Sequence, residues 1–316
     1  MDMKKELGSS GIYVSKICFG SLTMTPFQSN LSIEEGANLI EYAFERGINF
    51  LDTAELYDNY EYIKRALKSI KRDEYIITTK SYAYDKATAE KSLEKALREL
   101  GTNYIDIFLL HEQESVHTIR GHYEAIEYFI RQKEKGYIRA IGISTHKVAG
   151  AKGFNKYPEL DILHPLINYK GLGILDGSRD DMIEQIKIAS KNKKGIYAMK
   201  ILGGGHLIPD VTEAISFINN LDCIDSIAIG MQSREEVDCN ISLVERGLYP
   251  EYLVDRLREK KRKLIVADYC TGCSICVNKC RLGGIEIKNG QASATEKCIL
   301  CGYCANYCPD FCIKVI

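Results

Sequence analysis

The residues that could do chemistry are most concentrated near the end of the chain, where nine of its twelve cysteines lie between Cys270 and Cys312. Eight of the nine form two copies of the spacing C-x2-C-x2-C-x3-C, and Pro309 follows the second copy. Thiolates three residues apart on a tight loop can reach three corners of an iron-sulfur cubane, and the fourth ligand then comes from the other copy. The predicted ligands are Cys270, Cys273, Cys276 and Cys308 for one 4Fe-4S cluster, and Cys298, Cys301, Cys304 and Cys280 for the other.

Zinc is the alternative metal for these thiolates. Structural zinc sites generally take paired C-x2-C elements separated by a longer stretch, whereas here three cysteines fall within seven residues and a fourth follows. The spacing therefore favours iron-sulfur clusters, and no export signal suggests disulfides instead. The remaining cysteines are expected to be ordinary small buried residues, and these are Cys18, Cys223, Cys239 and Cys312.

A second group of chemically useful side chains follows apolar, strand-like runs in the first third of the chain. Asp52 and Tyr57 lie in "FLDTAELYDN", Lys80 ends "YIITTK" and His111 ends "IDIFLLH". Each of these residues alone has an ordinary structural explanation. Together they suggest a site, because a phenol with a pKa of about 10 needs a nearby cation to exchange a proton near neutral pH. We expect Lys80 to be that cation, Asp52 to hold it charged, and His111 to orient a substrate oxygen.

The elements that must position these residues alternate along the chain. The predicted strands are eight short runs rich in Ile and Leu, at 16–20, 48–53, 75–80, 105–111, 138–144, 161–168, 195–201 and 226–230. Amphipathic helices are predicted between them, such as 33–47, which ends at a glycine, and 88–101, which opens with a Thr cap. This alternation predicts an α/β fold with a closed (β/α)8 TIM barrel, in preference to a doubly wound open sheet. Active sites of such barrels lie at the carboxyl ends of the strands.

Composition limits the partners and the setting. With 42 basic and 43 acidic residues, the formal net charge is -1, which gives no bulk reason to expect nucleic acid or a membrane as a partner. No window approaches the roughly 20 apolar residues of a membrane span, and the first residues lack a signal-peptide stretch. We therefore expect a cytoplasmic protein.

Residues 1 to 250 resemble an aldo-keto reductase. The likeness rests on "GINFLDTAELYDN", "IITTK", "DIFLLH", "IGIST" and "IGMQSREEVDCN", which follow one another in order. The resemblance implies reduction of an aldehyde or ketone by a nicotinamide, or the reverse alcohol oxidation, with Tyr57 as general acid and base. It also implies binding residues for the cofactor, namely Ser144 and Asn168 for the nicotinamide carboxamide and Gly230, Gln232, Ser233 and Asn240 for the adenosine end.

Two positions depart from the family pattern. Met199 and Lys200 stand where many members place an aromatic ring against the nicotinamide, and Glu236 stands where an arginine often meets the 2′-phosphate of NADP. Ser233 has a second reading as a helix cap. Both NAD and NADP stay open as the cofactor, and Glu236 favours NAD slightly.

Residues 265–316 resemble a bacterial-type two-cluster ferredoxin domain, a small α+β unit. An Asn-Gly hairpin signal in "IEIKNGQASAT" separates the two cysteine copies, and Arg281 stands where the first copy would usually carry proline. The basic stretch 251–264 is interpreted as a linker helix. Its alternative interpretation is a docking patch for an external redox protein of the ferredoxin or flavodoxin type.

These patterns favour an oxidoreductase that acts on a small carbonyl or alcohol and that contains two 4Fe-4S clusters coupled to, or accompanying, the nicotinamide chemistry. One difficulty is electronic, because a nicotinamide moves two electrons as hydride whereas each cluster moves one, and no flavin site is evident. The alternative is a non-catalytic electron-transfer or redox-regulatory protein on a barrel scaffold. The complete set of four catalytic residues argues against that alternative.

Overall fold

The computed structural model describes residues 4–248, 250, 263–280, 282–298, 300, 302 and 304–315. Two short antiparallel strands, β1 (Lys5–Glu6) and β2 (Tyr13–Val14), come first. Eight parallel strands then close into a barrel in chain order. They are β3 (Ile17–Gly20), β4 (Phe50–Asp52), β5 (Ile76–Ser81), β6 (Ile105–Leu110), β7 (Ile138–Thr145), β8 (Ile162–Pro165), β9 (Gly195–Ala198) and β10 (Ser226–Gly230). The eight predicted strands and the closed barrel are confirmed.

Helices lie between the barrel strands and bury one face against them. They are α1 (Ile33–Glu45), α2 (Tyr60–Ala66), α3 (Lys86–Leu100), α4 (Val116–Gly121), α5 (Tyr123–Glu134), α6 (Val148–Phe154), α7 (Arg179–Lys191), α8 (Val211–Asn219) and α9 (Arg234–Arg246). The predicted Thr cap of α3 is wrong. The helix begins two residues earlier than predicted, because the carboxylate of Asp85 accepts the backbone N–H of Thr88 at 2.8 Å and caps it.

The hydrophobic core has two layers. The larger layer lies between the strands and the surrounding helices. A smaller one fills the barrel, where Leu7 and Ile12 of the first hairpin pack with inward-facing residues such as Phe50 and Ile107. The hairpin therefore closes the amino end of the barrel and leaves the carboxyl end of the strands as the mouth.

The described part of the C-terminal segment forms two antiparallel strand pairs. Strand β11 (Leu264–Val266) pairs with β14 (Ile313–Val315), and β12 (Ile285–Lys288) pairs with β13 (Gln291–Ala294). The second pair turns at Asn289 and Gly290, which both have positive φ, so the Asn-Gly hairpin signal is confirmed. A short helix, α10 (Ile275–Lys279), follows the first two cysteines and contains the third, Cys276.

Three sequence-based expectations lie outside the described residues. They concern residues 251–262 of the predicted linker helix, Arg281 and the predicted ligand Cys301. Among the helices that the structure describes, none has both the length and the apolar composition needed to cross a membrane.

A buried carboxylate ties three barrel strands together away from the mouth. Asp106, in β6, is fully buried, and its two oxygens each lie 2.7 Å from an arginine, Arg72 on one side and Arg139 of β7 on the other. The backbone N–H of Ile77 in β5 also donates to Asp106, at 3.0 Å. The carboxylate therefore compensates two cations and one strand amide at once.

Replacing Asp106 should therefore destabilise the barrel strongly. Removing one partner of a buried ion pair costs about 3–5 kcal/mol, because the remaining charges lose their compensation. We expect a loss of that size for Asp106→Ala in the free energy of unfolding by urea. The matched control is Asp73→Ala, which removes an exposed carboxylate beside Arg72. Equal losses in the two variants would show that the Asp106 cluster contributes nothing special.

Candidate active site

Barrel closure brings the four predicted catalytic residues to the mouth. Asp52 is the last residue of β4, Lys80 lies near the end of β5, and His111 directly follows β6. Tyr57 ends a single 3-10 turn, Glu55–Tyr57, just beyond β4. Because these strands are parallel neighbours in the barrel, their carboxyl ends present all four side chains at one place.

The centre of the site is an ion pair between Lys80 and Asp52. The Lys80 ammonium lies 2.7 Å from both carboxylate oxygens of Asp52 and also donates to the carbonyl oxygen of Thr53 at 2.7 Å. Lys80 is only 1% exposed and Asp52 only 5%. Two buried charges are tolerated when each is paired and hydrogen-bonded in this way.

Tyr57 lies beside this pair. The Lys80 ammonium is 5.1 Å from the centre of the Tyr57 ring, and the ring meets His111 edge-on with 5.9 Å between centroids. Burial raises the pKa of the Tyr57 phenol well above its ordinary value, and the charge of Asp52 adds to the increase. Lys80 was expected to lower the pKa of Tyr57, and this effect is not seen. The reason is that Asp52 already compensates the charge of the Lys80 ammonium. Tyr57 is therefore neutral in this arrangement and carries a proton that it can donate.

His111 is the second proton donor at the mouth. Burial lowers the pKa of its imidazole well below the ordinary value, and the charge of Lys80 acts in the same direction, so the ring is neutral. Its Nδ1 atom is buried and has no hydrogen-bond partner among the described residues. The ring stacks on Tyr82 at 4.7 Å, and the Tyr82 hydroxyl donates to Glu112 at 2.5 Å. A neutral imidazole held this way can donate one N–H to a ligand oxygen.

Two site residues were missed by the sequence reasoning. The hydroxyl of Tyr197, in β9, donates to Asp52 at 2.9 Å. His164, in β8, stacks on the Tyr197 ring at 3.8 Å and places its Nε2 atom 3.9 Å from Asp52. Its Nδ1 donates to the carbonyl oxygen of Tyr197 at 2.6 Å. The only sequence signal was a polar residue within each apolar run, since neither side chain comes from a strand end.

The two residues predicted to hold the nicotinamide carboxamide lie at the mouth but differ in what they contact. Ser144, in β7, is fully buried, and its oxygen accepts the backbone N–H of Glu112 at 2.9 Å. The Asn168 side chain closes its own loop. Its oxygen accepts the N–H of Leu172, and its amide group donates to the carbonyl oxygens of Leu172 and Lys200.

The residues predicted for the adenosine end lie at and beyond β10. Ser233 caps α9, because its hydroxyl oxygen accepts the N–H of Glu236 at 3.3 Å. The Glu236 carboxylate accepts the N–H of Gln232 at 2.7 Å. A side chain at Gly230 would collide with Thr23, and Asn240 is buried within α9.

In the C-terminal segment, one pocket gathers the whole first set of predicted cluster ligands. Its wall contains Cys270, Cys273, Cys276, Cys308 and Cys312. Of the second set, Cys280, Cys298 and Cys304 are described. Cys18, Cys239 and Cys312 are buried as predicted, whereas Cys223 is half-buried. In the described part of the chain, no group of three or more Cys, His, Asp or Glu side chains has the spacing to hold a single metal ion.

Backbone amides point at three of the sulfurs. Cys280 accepts the N–H of the residue four positions later, Gly284, at 3.2 Å. Cys308 does the same with Cys312, also at 3.2 Å. Cys270 accepts the N–H of Ala292 at 3.5 Å. The two cysteine copies therefore repeat one local geometry.

Comparison with known proteins identifies the barrel. The profile of the Aldo/keto reductase family matches residues 16–220. The chain belongs to this family. This family member is 28% identical over 180 residues to the methylglyoxal reductase DkgA of Yersinia pestis, an alignment that covers 54% of the chain. The alignment spans 64% of that relative, which is less than two thirds of its length.

Solved aldo-keto reductases share the fold of this family member. The AKR11C1 protein of Bacillus halodurans, in its holo form, superposes with a TM-score of 0.65 at 20% identity, over 81% of this chain and 95% of that one. The AKR2E4 protein of Bombyx mori, in complex with NADP, gives a TM-score of 0.61 at 14% identity, over 82% and 93%. At these identities the likeness is one of fold.

The burial of His164 predicts a loss of stability in mild acid. Burial lowers the pKa of His164 to about 4, whereas an unfolded histidine titrates near 6.5. Between pH 6.5 and about pH 4, His164 is therefore protonated in the unfolded chain but neutral in the folded protein. The stabilisation by neutral His164 is complete above 6.5 and falls by about 3 kcal/mol over that range.

Urea unfolding at pH 7 and pH 5 tests this prediction. Between the two values, we expect His164→Asn to lose about 2 kcal/mol less stability than the unsubstituted protein. His117→Asn, which changes an exposed histidine of α4, is the control and should behave like the unsubstituted protein. Identical pH dependence in His164→Asn and the unsubstituted protein would contradict the expectation.

Proposed function

We propose that this protein reduces a small aldehyde or ketone, or oxidises the corresponding alcohol, with Tyr57 as the proton donor and acceptor and NAD or NADP as the cofactor. The observation that carries the proposal is the convergence of Tyr57, His111 and the buried Lys80–Asp52 pair at the barrel mouth. Membership of the aldo/keto reductase family supports it. The methylglyoxal reductase among its relatives suggests that the substrate is a small, reactive carbonyl compound.

The chain's own groups supply the proton chemistry. His111 is neutral and donates an N–H to the carbonyl oxygen, which orients the substrate toward Tyr57. The Tyr57 hydroxyl then gives its proton to the same oxygen as charge builds there. Lys80 lies over the face of the Tyr57 ring, but Asp52 compensates its ammonium, so Lys80 offsets only part of the negative charge that the phenol gains in the reaction. A bound nicotinamide would supply or accept the hydride.

The expected nicotinamide contacts fit the mouth in part. The Ser144 oxygen accepts the backbone N–H of Glu112, so its hydroxyl can still donate a hydrogen bond to a ligand. Asn168 would have to release Leu172 and Lys200 before it could bind a carboxamide. We therefore assign the carboxamide contact to Ser144 and give Asn168 the role of holding its loop.

The test of the catalytic proposal is the variant Tyr57→Phe. It removes only the hydroxyl, so the Tyr57 proton is lost while the ring stays, and we expect kcat/KM to fall on the order of 10²–10⁴-fold. The assay follows oxidation of NADH or NADPH by methylglyoxal and a panel of small aldehydes and ketones. Tyr84→Phe, an exposed tyrosine just beyond β5, is the control and should keep full activity. A Tyr57→Phe enzyme as active as the unsubstituted one would overturn the proposal.

We also propose that the C-terminal segment binds two 4Fe-4S clusters and exchanges electrons with an external redox protein of the ferredoxin or flavodoxin type. The ligand spacing and the pocket lined by Cys270, Cys273, Cys276 and Cys308 support the first cluster. N–H groups aimed at Cys270 and Cys308 of the first set, and at Cys280 of the second, also support cluster binding, because a thiolate accepts such bonds better than a neutral thiol does.

Anaerobic purification with iron and sulfide analysis tests this second part. Two clusters correspond to about eight irons per chain. We expect Cys273→Ala to lose about half of the iron, because the substitution removes one of the four ligands of one cluster. The Cys273 side chain is exposed and contributes little to the core, so the variant should still fold. Cys223→Ala, which changes a barrel cysteine, should keep all of it. Iron content that Cys273→Ala leaves unchanged would overturn the cluster assignment.

A further inference from the structure

Phe311 of the C-terminal segment is seated in the barrel mouth. The side chain is only 4% exposed and lies against Gly173 and Gly204, in the loops that follow β8 and β9. A side chain at Gly173 would collide with the Phe311 ring, so the glycine permits this close approach. The His206 ring lies nearly parallel to that of Phe311, with 6.0 Å between centroids.

The backbone of Phe311 is strained where it places the ring in the mouth. Its φ is +53°, a left-handed conformation that a bulky side chain rarely adopts. The equivalent position after the first cysteine copy, three residues beyond Cys280, is Gly283, which has a φ of +64°. A glycine would satisfy the turn without strain, so the contacts of the ring with the barrel must offset the strain.

Lys200 meets Phe311 from the barrel side. Its ammonium lies 4.6 Å from the centre of the Phe311 ring, which is cation–π distance. A second lysine, Lys314, comes from β14, the strand that packs against the turn Gly203–Gly205. Burial lowers the pKa of both lysines. The pKa of Lys314 falls to about 7, and repulsion from the charge of Lys200 adds to that decrease. Within the described ranges, neither lysine forms an ion pair with a carboxylate.

The chain on either side of Phe311 belongs to the first cysteine pocket, since Asp310 and Cys312 both line it. Cys312 lines that pocket, and its N–H donates to the sulfur of Cys308. Phe311, whose ring Lys200 contacts, directly precedes Cys312 in the chain. Four thiolates and their iron-sulfur core carry net negative charge, which increases on reduction. Lys200 forms no ion pair with a carboxylate within the described ranges, so a cation beside a pocket that would hold an anion is electrostatically complementary to it.

We propose that Lys200 is a counter-charge of the first cluster, and that through Lys200 and Phe311 this cluster is held against the catalytic mouth with a raised reduction potential. The proposal rests on the proposed function, because it requires the first cluster to be present. Nearby cations favour the more negative, reduced state of a cluster and so make it the better electron acceptor.

The same junction lies beside the catalytic residues. Burial chiefly lowers the pKa of His111, and the charge of Lys200 adds to the decrease. Because Lys200 and Phe311 join the mouth to the segment that carries Cys308 and Cys312, the first cluster is the one whose charge would act at the mouth.

An anaerobic redox titration of the cluster-loaded protein, followed by electron paramagnetic resonance, tests the proposal. We expect Lys200→Met to lower one of the two midpoint potentials by about 59 mV, a tenfold change in the one-electron equilibrium. The other potential should stay unchanged. Lys200→Arg keeps the cation and should keep the potential, which separates lost charge from disturbed packing.

The matched control is Lys170→Met. Lys170 also lies by an aromatic ring in the loop after β8, 5.1 Å from the centre of Tyr169, but Asp210 already pairs with it at 2.6 Å. We expect no change in either potential. Two unchanged potentials in Lys200→Met, or equal shifts of both, would overturn this proposal and leave the cluster assignment intact. A protein that holds no iron would overturn both.

Discussion

The ion pair between Lys80 and Asp52 is the interaction on which the site depends. Burying an ammonium and a carboxylate costs several kcal/mol for each ion, about as much as their attraction returns unless every hydrogen-bonding position is filled. Here both carboxylate oxygens meet the ammonium, the Thr53 carbonyl takes another of its protons, and the Tyr197 hydroxyl reaches Asp52 from across the barrel. Three strands must therefore be correctly closed before the pair is stable. The barrel and its mouth cannot form independently of each other.

The pair also sets the protonation of its neighbours. Because the two charges compensate each other, neither is strong enough at the mouth to ionise the Tyr57 phenol or to protonate the imidazoles of His111 and His164, whose pKa values burial lowers. The mouth therefore presents neutral hydrogen-bond donors around a compensated centre. Such an environment suits a carbonyl oxygen, which is uncharged when it arrives and gains negative charge only during reaction.

The C-terminal segment adds a second, uncompensated electrostatic feature to the same mouth. Lys200 follows β9 and contacts Phe311, so one cation lies where the barrel mouth meets the segment that lines the first cysteine pocket. Its own φ is +55°, and the Asn168 amide and the Gly203 N–H both bind its carbonyl oxygen, which keeps this unusual backbone in place. The departure from the family pattern at this position thus has a structural counterpart. The aromatic ring beside Lys200 comes from Phe311 of the cysteine-rich segment.

The sequence by itself determined the barrel strands, the hairpin at Asn289–Gly290 and the grouping of Asp52, Lys80 and His111 at strand ends. These are local patterns, since a strand buried on both faces must be a continuous apolar run and a two-residue turn needs residues that accept positive φ. It misplaced the cap of α3, because Asp85 and Thr88 are both capping residues and only the path of the chain chooses between them. Only the tertiary structure decided that Tyr197 and His164 support Asp52 and that Phe311 enters the mouth between Gly173 and Gly204. Those contacts join residues far apart in the chain, and their partners follow from how the closed barrel and the C-terminal segment pack, which no local spacing records.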